Sequence, residues 1–87
     1  MADEEELLKR ITYNPQIFGG KAIIRGRRLA VEHVLAMLAG GSTIDELLDH
    51  YDWLEREDVQ ASLLYAAKIV GREYFAPLLV TSEAADR

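Results

Sequence analysis

The chain has 87 residues, no cysteine, and 15 Asp plus Glu against 10 Lys plus Arg, for a formal net charge of -5. That length fits one domain with a thin stability margin, for which dimerisation is a natural remedy. The composition excludes disulfides and thiolate chemistry, fits a reducing compartment, and argues against indiscriminate nucleic-acid binding while leaving room for a local basic footprint.

Met1-Ala2-Asp3-Glu4-Glu5-Glu6 has the wrong charge for a signal peptide. No apolar run approaches the ~20 residues that span a bilayer. The expected setting is therefore a soluble, cytoplasmic domain. Asp3 to Lys9 reads as an acidic turn or short helix. Ile11-Thr12-Tyr13 is a β-prone run stopped by Asn14-Pro15. Ala22-Ile23-Ile24 and Leu29-Ala30 flank Arg25-Gly26-Arg27-Arg28 and predict a small hairpin or β-ribbon.

From Val31 the period changes. Val31, Val34, Leu35 and Leu38 lie at i, i+3, i+4 and i+7, the spacing of one helix face. Gly40-Gly41 ends that helix. Thr43 and Glu46 form a capping-box pattern before a second helix, whose apolar face is Ile44, Leu47, Leu48 and Tyr51. A third helix opens with Glu55-Arg56-Glu57-Asp58, with Val59, Leu63, Ala66 or Ala67, Val70 and Tyr74 as its expected apolar face. Trp53 and Leu54 are expected to plug the core between the last two helices. The fold expected is mainly α, a three-helix, helix-turn-helix-compatible core with a short N-terminal β-ribbon. It is one domain over 1–87, with a ribbon arm at 10–30, a trihelical core at 31–75 and a tail at 76–87.

Charge is split along the chain. Residues 21–30 hold Lys21, Arg25, Arg27 and Arg28 and no acid. Residues 31–58 hold Glu32, Asp45, Glu46, Asp49, Asp52, Glu55, Glu57 and Asp58 against Arg56 alone. The four cations are the candidate nucleic-acid contacts, since a two-stranded ribbon can enter a groove and arginine grips phosphate. They are equally suited to pair with the acids of 45–58, inside one subunit or across a dimer, and the acidic net charge favours that second role. The start of the third helix, rich in carboxylates, is poorly suited to reading bases.

Tyr74, Phe75, Leu78 and Leu79 form an apolar C-terminal cluster, read as packing on the domain's own core or as a partner-binding surface. His33 and His50 lack the neighbours of a metal site, and Ser42 and Thr43 read as caps rather than nucleophiles. Gly19-Gly20-Lys21 lacks the spacing of a phosphate-binding loop. No cofactor, metal or catalytic residue is expected, and the chain reads as non-enzymatic.

Arg10-Ile11-Thr12, Pro15, Gly19-Gly20-Lys21, Ile24-Arg25-Gly26 and Arg28-Leu29-Ala30-Val31 together resemble the opening motif of the domain of unknown function 433 family. Leu38 to Leu47 and Glu57 to Ala67 are similar to its later helices, so the resemblance covers residues 10 to 70. Ala22 stands where proline is usual and Arg27 where threonine is usual, and the third helix lacks a Ser or Thr cap, leaving Asp52 as the substitute. The resemblance implies a homeodomain-like core. It also implies kinship with VapB-like antitoxins, which pair with PIN-like ribonuclease toxins. The function expected is an antitoxin-like protein that sequesters such a toxin and binds operator DNA as a homodimer. The alternative is a stand-alone DNA-binding regulator.

Overall fold

The computed structural model describes residues 3–73, and over that span the chain is mainly helical with one small antiparallel sheet. Helix α1, Glu4–Leu8, starts at Asp3, whose carboxylate accepts the Glu6 amide at 2.8 Å. Its three glutamates sit where the helix dipole favours negative charge.

Strand β1, Ile11–Tyr13, pairs antiparallel with β2, Ala22–Ile24, placing Ile11 opposite Ile24 and Tyr13 opposite Ala22. A 3-10 turn at Phe18–Gly20 lies in the loop between them. The expected pairing of β2 with Leu29-Ala30 is reduced to one bridge, Ile23 to Ala30, and one hydrogen bond from the Ile24 amide to the Leu29 carbonyl at 3.0 Å. The reason is length. The Arg27 amide closes onto the Ile24 carbonyl and the Leu29 amide onto the Arg27 carbonyl, both at 2.8 Å. These two bends consume the segment before the next helix begins. The central residues of the first bend, Arg25 and Gly26, have φ of 45° and 72°, the backbone of a type I′ turn.

Helices α2 (Val31–Ala39), α3 (Ile44–His50) and α4 (Arg56–Glu73) lie where the three helices are predicted. Ala30 offers no side-chain cap to α2, and His33 compensates by accepting the Ala30 amide on Nδ1 at 3.1 Å. α2 ends in a Schellman motif: the Ser42 amide donates to Met37 and the Gly41 amide to Leu38, both at 3.0 Å. Gly41 makes this possible with φ of 104°. The predicted capping box opens α3, with the Glu46 amide on Thr43 Oγ1 at 3.1 Å and the Thr43 amide on Glu46 Oε1 at 2.8 Å.

The core joins both strands and all four helices, α1 through Leu7. Ile11, Ile24, Val31, Val34, Leu47, Leu54 and Val59 form one buried cluster, with Trp53 and Tyr65 packed against it. Each such aliphatic contributes about 1.5–3 kcal/mol when buried. A smaller cluster of Ile17, Ile23 and Ala30 supports the ribbon loop.

The buried face of α4 differs from the one its apolar spacing predicts. Val59 is buried, but Leu63 is 45 % exposed and Val70 61 % exposed, whereas Asp58 and Ser62 are fully buried. The polar pair turns inward because its hydrogen bonds are met there. Ser62 Oγ donates to the Asp58 carbonyl at 3.0 Å, and Asp58 is held by two arginines. Tyr74, Phe75, Leu78 and Leu79 lie outside the described residues, as does the expected tail. Among the described residues, no helix is long and apolar enough to cross a membrane.

Candidate functional site

Asp58 is the hub of the site. It occupies the third position of α4, and its Oδ2 accepts the Glu55 amide at 2.8 Å. That bond is the reciprocal half of a capping box. It satisfies an orphan donor at the helix entry, the role expected of Asp52. Arg25 grips the same carboxylate with both prongs, Nε to Oδ1 at 2.9 Å and Nη2 to Oδ2 at 2.7 Å. Arg10 adds Nη1 to Oδ1 at 3.0 Å and also reaches Glu55 Oε1 at 2.7 Å. Arg25 Nη2 further donates to the Trp53 carbonyl at 2.9 Å.

Burial alone would push the Asp58 pKa up. The Arg25 hydrogen bonds, the Glu55 amide and Arg10 together outweigh it and hold the carboxyl below its ordinary range. Hydrogen bonding to Glu55 and Asp58 raises the Arg10 pKa, and bonding to Asp58 raises that of Arg25. The site is therefore a fixed ion cluster, with both arginines charged and the carboxylate ionised.

The four predicted cations have different fates. Arg25 is turned inward onto Asp58, and its positive φ aims the side chain from the turn toward the start of α4. Lys21 pairs with Glu32 of α2 at 3.0 Å, with both side chains more than half exposed, so the bond is worth about 0–1 kcal/mol. Arg27 is exposed and lies over the Trp53 ring, its guanidinium 4.7 Å from the ring centre. Arg28 is exposed. Neither Arg27 nor Arg28 forms an ion pair among the described residues.

The acids divide likewise. Asp58 is neutralised, so the α4 entry is less negative than its sequence implies. Asp45 pairs with Arg56 at 2.6 Å, yet its side chain is 80 % exposed. Asp49, Asp52 and Glu57 are exposed and unpaired among the described residues. Arg10, outside the predicted cation cluster of 21–30, is a further cation of the site. The available signal was an uncapped α4 entry carrying an acid at its third position, which calls for a counter-charge from elsewhere in the chain.

A second feature lies beside the ribbon. A groove of about 340 Å³ runs between α2 and α4, lined by Ala22, Val31, Leu35, Ala66, Ile69 and Val70, with Lys21 and Glu32 at its rim. The hydroxyls of Tyr13 and Tyr65 meet nearby at 2.8 Å. That bond, followed by burial, pushes the Tyr65 pKa up to about 12. His33 caps α2 and stacks edge-on against Phe18, and His50 stacks on Tyr51. No group of three metal-ligating side chains occurs among the described residues.

The chain is 32 % identical over 56 residues to the uncharacterized protein y4eO of Sinorhizobium fredii, a match covering 64 % of this chain and 25 % of that protein. The chain thus spans about a quarter of the length of this relative. No solved structure matches it. The family model described as protein of unknown function (DUF433) matches residues 11–66, from β1 to the middle of α4 and across the whole Arg10–Arg25–Asp58 neighbourhood except Arg10 itself. The chain belongs to the DUF433 family.

Proposed function

We propose that this protein is a non-enzymatic binding module of the antitoxin type, which sequesters a basic, PIN-like ribonuclease through its acidic α3–α4 surface. The observation that carries this reading is the split fate of the charges. Two of the four ribbon cations are engaged by the chain's own carboxylates, while Asp49, Asp52 and Glu57 face solvent without a cation among the described residues. A ribonuclease needs positive charge near its RNA, so an acidic face opposes it directly. Such complementarity speeds encounter more than it sets affinity. The toxin class rests on the family resemblance, and with it a homeodomain-like reading of α2, α3 and α4.

Co-expression with the product of the adjacent reading frame tests the reading. Co-purification, with loss of the partner's RNA cleavage, is the expected outcome. Charge reversal at Asp49, Asp52 and Glu57 together should slow association and leave the fold intact. No capture of a neighbouring product, together with a salt-dependent shift of duplex DNA by the protein alone, would refute it.

A second reading has one specific observation in its favour. Arg27 and Arg28 are exposed at a tight turn, and Arg27 is braced on Trp53. A phosphate backbone would meet two cations there. In that case Arg27→Ala with Arg28→Ala flattens the salt dependence of DNA binding by about two phosphate contacts. Lys21→Ala then changes it less.

A further inference from the structure

We propose that the outward face of α4 is an interface with a second copy of this chain, packed as an antiparallel helix pair. The first turns of α4 are sunk in the core, but beyond them Leu63 is 45 % exposed and Val70 61 % exposed. Leu63, Ala66, Ala67 and Val70 fall at i, i+3, i+4 and i+7. This is the apolar stripe whose spacing reads as core-facing, yet Leu63, Ala67 and Val70 lie away from the chain's own core. A seam of this period left in water is covered most economically by another helix.

Charge selects the occupant. Between Val59 and Gly71 the helix holds no carboxylate and one cation, Lys68, which pairs with Glu4 at 3.1 Å. Two copies of a chain with net charge -5 repel through most of their surfaces. Along the stripe itself they meet without opposing acids, and the carboxylates beside it, Glu4 on Lys68 and Glu32 on Lys21, are each paired with a lysine. A basic partner finds only carboxylates already paired with lysine there and is better served by the α3–α4 acids. The stripe also complements itself. In an antiparallel pair centred between Ala66 and Ala67, Leu63 of each copy faces Val70 of the other, and the alanines let the axes approach to about 8 Å. Ala66 and Val70 wall the groove as well, so the seam runs into its apolar lining.

Sedimentation equilibrium of the full chain tests this. The wild type should give twice the chain mass. Leu63→Glu and Val70→Glu should each halve it, with unchanged far-ultraviolet circular dichroism. The absence of cysteine allows a lone-thiol experiment. Ala67→Cys should be joined by a short bismaleimide and Gln60→Cys should not, because the two copies of residue 60 lie about 20 Å apart along an antiparallel pair. A monomeric wild type overturns the proposal, and is what a stripe covered by residues 74–87 of the same chain would give. A dimer insensitive to both charges overturns it too, and so does equal cross-linking of the two thiols.

Discussion

Replacing Asp58 with alanine removes four hydrogen bonds at once: two from Arg25, one from Arg10 and one from the Glu55 amide. Taking one partner from a buried ion pair costs about 3–5 kcal/mol, chiefly through the charge left behind. Here the stranded charges are arginines whose side chains are 32 % and 27 % exposed. They recover part of their hydration, which places the loss near the lower end, about 3 kcal/mol. For a domain of this size, that lowers Tm by about 12–24 °C. Trp53 is the chain's single tryptophan and lies against the Arg25 guanidinium, so urea unfolding followed by its fluorescence reads the site itself. Asp45→Ala is the control. It breaks the Arg56 pair on an 80 % exposed side chain and should cost under about 1 kcal/mol. An Asp58→Ala protein within about 1 kcal/mol of wild type would refute the argument that this carboxylate is a structural hub.

Acid should act through the same group. The Asp58 pKa lies below its ordinary 3.8 when folded, so its contribution is complete above that value and disappears as pH falls through the lower, folded one. The urea midpoint of wild type should therefore drop in that acid range, and that of Asp58→Ala should drop less. Gly41→Ala places a side chain at φ of 104° and should cost about 1 kcal/mol, seen as a lower Tm. Gly40→Ala meets the Ala36 carbonyl at 3.4 Å without a positive φ and should cost less. Alkaline titration of the tyrosine absorbance should show a group near 12, and Tyr13→Phe should move it back toward 10.0.

The helices were legible because their signals are local. The Thr43–Glu46 box and the Gly40-Gly41 stop each act within four residues, and the observed caps use those residues. The sheet was less legible. Its strands are three residues each, and an eight-residue loop separates them, so the pattern could not show that Ile24 pairs with Ile11 across the sheet and meets Leu29 through only one hydrogen bond. The inward face of α4 was hidden for a different reason. Burying Asp58 and Ser62 contradicts an apolar period unless the partners are known, and Arg25 lies 33 residues away in sequence. The basic cluster of 21–28 was visible as charge, but its division into inward Arg25 and exposed Arg27 depends on the positive φ at Arg25, which composition does not encode.

Arg10 and Arg25 precede Asp58 by 48 and 33 residues. During synthesis they therefore emerge well before the carboxylate that neutralises them. Until the start of α4 appears, those two guanidinium groups lack the Glu55 and Asp58 carboxylates that hold them in the finished fold. Completion of the fold is thus tied to the last helix, whose first turn fastens the amino-terminal elements as it forms. Pulse-labelling hydrogen exchange during refolding should show the Arg25 amide, bonded to the Arg10 carbonyl at 2.8 Å, gaining protection together with α4 rather than before it.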